Sequence, residues 1–234
     1  MNKRYRDQIE EFIYRGQPVP FSLGTLCVIM LCLLLFIVST FTQINIYHQW
    51  PVFDESGYLT MRIQEYPYIP QVPVILFIAA VLGAKYGLVT LIIYTLIGFF
   101  IWPVFAFGGG IGYVKSFVFG YILGYFPAMV FAGAILHKDS SWKGIGLAAF
   151  FGVLIIHISG ILYIAFLSLF GLANFTFATS TLLSMGGVKI IYDWIFSFIL
   201  MLLAYPVKSV LWLAMKNNSP KPKAAQESTQ NNTN

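Results

Sequence analysis

Charge is scarce in this chain. Charged residues make up 10% of its 234 residues, and only nine are acidic. An ordinary soluble domain carries about a quarter, so a solvated globular surface is excluded. Cysteine is nearly absent as well. The two present, Cys27 and Cys32, fall in one apolar run at a spacing that puts them on different faces of a helix, so no disulfide is expected. The chain also lacks G-x-S-x-G, H-E-x-x-H, a Walker A loop and C-x-x-C. Nothing therefore marks an enzyme, a bound cofactor or a metal site. If the chain moves a solute actively, a partner or an ion gradient must drive it.

What is present is hydrophobic sequence. Apolar residues make up 58%, the mean hydropathy is +0.76, and the apolar residues come in long unbroken runs, which is the transmembrane signal. Spans are predicted near 21–41, 70–83, 86–105, 114–136, 143–170 and 187–213. The fold expected is an all-α membrane protein of six transmembrane helices. The second run is short, GAKYG (83–87) turns it into the third, and Pro103 with the following glycines ends the third. Residues 1–20 are charged and read as an amphipathic segment at the membrane surface rather than a cleavable signal. The polar tail, residues 214–234, reads as disordered. Residues 44–68 are too polar for lipid. They are rich in aromatic residues and proline, which predicts an ordered outer flap, a lid in position.

The net charge of +5 does not call for nucleic acid. With six spans starting inside, the inner side holds Lys3, Arg4, Arg6, Arg15, Lys85, Lys138, Lys143, Lys208, Lys216, Lys221 and Lys223. The outer side holds Arg62, Lys115 and Lys189. That asymmetry satisfies the positive-inside rule with both termini cytoplasmic, and makes the plasma membrane the expected location.

Polar groups at membrane depth carry the chemistry. Asp193 is the one acidic residue inside a predicted span, roughly 9 Å into a core about 30 Å thick. Unpaired, it costs at least about 2.5–3.5 kcal/mol there. Lys189 lies four residues earlier on the same face, in the weaker order for such a pair. Two readings stand: a local ion pair that completes the fold, or a polar floor for a ligand arriving from outside. Lys115 is either an attractor for a carboxylate or a snorkelling interfacial lysine. Tyr121 and His157 each read alone as packed core residues. Ala79, Ala80, Gly83 and Ala84, and Ala128, Ala132 and Ala134, allow close helix approach.

The stretch from Gly83 to Tyr125 resembles the BioY family, the biotin-binding S components of energy-coupling-factor (ECF) importers. The family's G-x-x-x-G is matched by Gly83 and Gly87. Its Y-x-x-x-G-x-x-x-x-P-V-F-A-x-G-G is matched by Tyr94, Gly98, Pro103, Val104, Phe105, Ala106, Gly108 and Gly109. Its G-Y-L-L-G-F is matched by Gly120, Tyr121 and Gly124. Pro67 to Gln71 looks like the family's P-x-T-L-Q, and Asp193 like its acidic residue near the start of span six. The family's lysine three residues after that acid is Phe196 here, and its A-x-x-x-A in span one is missing. The resemblance implies a six-helix S-component bundle, biotin as transported ligand, and a membrane coupling subunit with ATPases as partners. It implies a pocket drawn from Asp193, Lys189, Lys115, Tyr121 and Gln71, with Phe105 and Trp102 as walls. Another small vitamin or metabolite on the same scaffold, or a membrane scaffold protein with no small ligand, are the alternatives.

Overall fold

The computed structural model describes residues 23–53, 57–171 and 187–217. The expected N-terminal amphipathic segment and nearly all of the polar tail lie outside them. Helix α1 is Leu23–Phe41. Strands β1 (Ile44–Phe53) and β2 (Leu59–Tyr68) pair antiparallel, from Ile44 opposite Tyr68 to Phe53 opposite Leu59. Helix α2 is Gln71–Phe100, a 3-10 turn covers Ile111–Lys115, and α3 is Phe119–Lys138. Helices α4 (Trp142–Leu169) and α5 (Val188–Asn217) complete the described chain. Among the described residues, five helices are long and apolar enough to cross a membrane. The chain is a mostly helical, multi-pass membrane protein.

In the expected flap, the described residues 44–53 and 59–68 are paired antiparallel strands. Aromatic and β-branched residues flank Asp-Glu-Ser-Gly, a pattern that favours paired strands over a coil. The span predicted from 114 begins later. Residues to Lys115 form the 3-10 turn, and Ser116 is extended before α3 starts.

Helix α2 contains a reversal at Gly83, whose backbone is φ 71°, ψ 178°. That region is essentially closed to residues with a Cβ. On one straight helix Gln71 and Tyr94 would stand about 34 Å apart. Both instead reach the Thr40 hydroxyl at the end of α1, Gln71 Nε2 at 2.8 Å and Tyr94 Oη at 3.3 Å. The arms 71–82 and 84–100 therefore run antiparallel. Helix α3 crosses right at the bend, where a Cβ on Gly133 would stand 2.6 Å from the Ala84 backbone nitrogen. Ala79, Ala80, Ala128 and Ala132 are buried in these contacts, whereas Ala134 faces outward.

The core is filled by aliphatic side chains and rings from α1 to α5. After Phe100 the chain folds back, with Gly110 N–H donating to the Gly98 carbonyl at 2.8 Å. This return drives Phe105 inward against Tyr94, Phe99 and Tyr113. Cys27 and Cys32 are both free thiols. Gly83→Ala is expected to cost about 1–3 kcal/mol through the forbidden backbone angle. The thermal midpoint of the detergent-purified protein checks this, and an unchanged midpoint contradicts the bend.

Candidate ligand-binding site

The site is built around one carboxylate. Asp193 lies in the second turn of α5 and is 0% exposed. A buried carboxylate needs donors from several directions, because one helix covers only one side of it. Lys189, one turn earlier, donates to Oδ2 at 2.5 Å. His157 on α4 places Nε2 2.9 Å from the same oxygen. Tyr68, the last residue of β2, donates its hydroxyl to Oδ1 at 2.8 Å. Three elements thus meet on two oxygens, and the Lys189 ammonium also stands 5.5 Å from the Tyr68 ring centre.

Tyr68 is held as a donor. Burial, then the Asp193 charge and its hydrogen bond, push the Tyr68 phenol far above its ordinary value. Tyr66, two residues earlier, is pushed up to about 12 by burial, the Asp193 charge and Tyr192. Rings pack beside these tyrosines: Tyr68 on Phe196 at 5.1 Å and Tyr66 on Tyr192 at 5.9 Å.

Tyr121 on α3 meets the His157 imidazole edge-on, with centroids 5.6 Å apart. Gly160 on α4 leaves the space its ring occupies, since a Cβ there would stand 2.5 Å from the ring. The Tyr121 hydroxyl, His157 Nδ1 and the Ser197 hydroxyl are all buried without a hydrogen-bond partner among the described residues. Ser197 follows Asp193 by one turn on the same face of α5. Orphaned polar atoms are expensive to bury. Among the described residues, none of these three atoms is partnered within the protein.

A second polar group adjoins the first. Tyr125, one turn beyond Tyr121, donates to Gln71 Oε1 at 3.4 Å, and Gln71 donates to Thr40. Tyr94 donates to the Val104 carbonyl at 3.1 Å.

Of the residues singled out in the sequence, Asp193, Lys189 and Tyr121 come together, and Gln71 lies in the adjoining network. Phe105 is buried in the core beneath Tyr94. Lys115 is exposed at the end of the 3-10 turn, and Trp102 is 69% exposed on the returning loop. Their ring and ammonium do not join the carboxylate cluster. Lys189 satisfies the ion-pair reading of Asp193, but as one of three partners. Tyr68, His157 and Ser197 are additions that only the fold supplies. The described residues hold no group of three or more histidine, cysteine or acidic side chains suited to a metal ion.

Residues 56–212 match the model of the BioY family. The chain belongs to the BioY family. A crystal structure described as the S-component for biotin from an ECF-type ABC transporter has the same fold. It superposes with a TM-score of 0.57 over 89% of this chain and 94% of that one, at 18% identity. No curated protein matches the sequence. Within this BioY-family chain, the residues of the family pattern have clear places. Gly98 leaves room for Phe105, and Gly124 brings α3 to within 3.0 Å of the α4 backbone at Ile156, measured from a built Cβ.

Lys189→Met removes a charge partner and leaves Asp193 under-compensated, a change expected to cost about 3–5 kcal/mol. Adding Asp193→Asn to the same chain is expected to restore most of that loss. Thermal midpoints of the single and double variants check it. A double variant no more stable than Lys189→Met contradicts the pairing.

Proposed function

We propose that this protein is the substrate-binding membrane subunit of a biotin importer, energised by an ECF coupling subunit with ATPases. The observation that carries the ligand assignment is the buried Asp193 cluster with its unpartnered neighbours. It is supported by family membership and by the likeness to a biotin S-component. Biotin combines a flat neutral ureido ring, an apolar bicycle and one carboxylate. The ring needs a few placed donors and acceptors, and the bicycle needs aromatic walls. Asp193, Tyr121 and Gln71 supply the first, while Tyr68, Tyr192 and Phe196 supply the second. Lys115 stands at the outer end as an attractor for the carboxylate, with Trp102 and Phe105 on the loop beside it.

The topology belongs to the same proposal. Counting the two arms of α2 separately gives six crossings, with both termini cytoplasmic, in keeping with the distribution of lysine and arginine. The β-hairpin then lies on the outer side as a lid. Its base is joined to the carboxylate through Tyr68, so entry of a ligand must displace or share that hydroxyl. Catalysis has no part in this reading.

Equilibrium binding of labelled biotin to the purified protein is the test. Tight binding is expected, with Asp193→Asn weakening it at least about tenfold, the effect of one charge-assisted hydrogen bond. Absence of binding by the wild-type protein removes biotin as the ligand. A scaffold protein without a small ligand would give that result.

A further inference from the structure

We infer that Lys208, near the end of α5, holds the phosphate of an anionic lipid. This is independent of what the protein transports. Only the leaflet, the inner one, follows the topology proposed above.

Depth places the lysine. Lys208 follows Asp193 by fifteen residues, about 22 Å along α5. Asp193 lies roughly 9 Å below one edge of a core about 30 Å thick. Lys208 therefore reaches the opposite edge, at the level of the lipid phosphates.

A lysine at that level ordinarily snorkels into water. Lys208 is instead half-buried, in the lining of a recess between the first arm of α2, the α3–α4 turn and α5. The small side chains of Ala80 and Ala204, both buried, leave this space. Ser140 and Tyr205 share the lining, and the Ser140 hydroxyl donates to the Leu136 carbonyl in the last turn of α3. The recess has a cavity volume of about 10 Å³, room for roughly one water. A phosphate is too large to enter and sits at the mouth, beside Lys208.

Charge sets the sign of the guest. The ion pairs of the described residues all belong to Asp193, so Lys208 has no carboxylate partner among them. Lys85, Lys138 and Lys143 stand at the same end of the bundle, with Asp139 as the one described acid. That carboxylate already accepts the Ser141 N–H at 2.8 Å and lies in the field of Lys143. Four lysines against one acid make this end cationic. An anionic headgroup gains about fivefold in binding for each lysine near the surface. A zwitterionic headgroup brings its own cation into the cluster and gains less.

The neighbouring surface decides between a lipid and a soluble phosphate. Leu203 and Val207 adjoin Ala204 and Lys208 on α5 and are 53% and 37% exposed. An amphiphile satisfies both features, with its acyl chain over the apolar pair and its phosphate at the lysine. A soluble anion satisfies the lysine alone.

Native mass spectrometry of the full-length protein, extracted without biotin from equal amounts of phosphatidylglycerol and phosphatidylcholine, tests this. The wild type is expected to retain phosphatidylglycerol in excess. Lys208→Met is expected to lower that excess about fivefold, the worth of one lysine near a membrane surface. Lys208→Arg is expected to keep it. Lys143→Met removes the same charge from the same end and is expected to leave it unchanged. Equal retention of the two lipids by the wild type overturns the inference. So does an equal fall in Lys208→Met and Lys143→Met, which would show a diffuse field in place of a site. Lys208→Gln serves the same comparison should Lys208→Met not fold. Inorganic phosphate is expected not to displace the retained lipid; displacement would assign the site to a soluble anion and overturn the lipid. None of these outcomes bears on biotin binding, so the two readings fail separately.

Discussion

Burying a carboxylate in a membrane protein is affordable only when its oxygens are met by donors, and here the donors come from three parts of the chain. Lys189 approaches along α5, His157 across from α4, and Tyr68 down from the end of the β-hairpin. Each contact fixes a relation that apolar packing alone leaves loose. Helices in lipid slide and rotate against one another at little cost, since lipid is as apolar as their side chains. A charge that must keep all its partners allows one arrangement. Asp193 thus ties α4, α5 and the hairpin into a single geometry.

Glycine and alanine contacts bring the other elements to that point. The reversal at Gly83 returns the second arm of α2 alongside α1, so that Gln71 and Tyr94 reach one hydroxyl. Gly124 and Gly160 let α3 and α4 close on each other and put the Tyr121 ring against His157. The result is a run of polar side chains from Asp193 through Tyr121 and Tyr125 to Gln71 and Thr40, inside an otherwise apolar bundle. Among the described residues its atoms are not all paired. That imbalance, with membership of the BioY family, is what ties the structure to binding a small polar molecule.

The sequence made parts of this plain and hid others. The apolar runs, the Gly83 bend and the Lys189–Asp193 pair were legible because each is local: a length, a glycine-flanked turn, a four-residue spacing. His157 was not, since its partner lies on a different helix with no spacing to announce it. Tyr68 was hidden for the same reason, 125 residues from Asp193. The strands of the hairpin were not read in advance, although aromatic and β-branched residues flank Asp-Glu-Ser-Gly. Trp102 and Phe105 could not be told apart in advance. The Gly110–Gly98 bond turns the loop so that Phe105 packs inward and Trp102 remains outside. Lys115 falls short of α3 because it ends the 3-10 turn, and Ser116 is extended before α3 starts at Phe119.

The central claim is that Asp193 accepts a hydrogen bond from the ligand itself, and infrared difference spectroscopy reads that bond directly. Spectra of the purified protein with and without biotin should show a shift of a carboxylate stretching band, absent from Asp193→Asn loaded to the same occupancy. A wild-type difference spectrum with no carboxylate change, at full occupancy, would show that the ligand binds elsewhere and that Asp193 only holds the helices together.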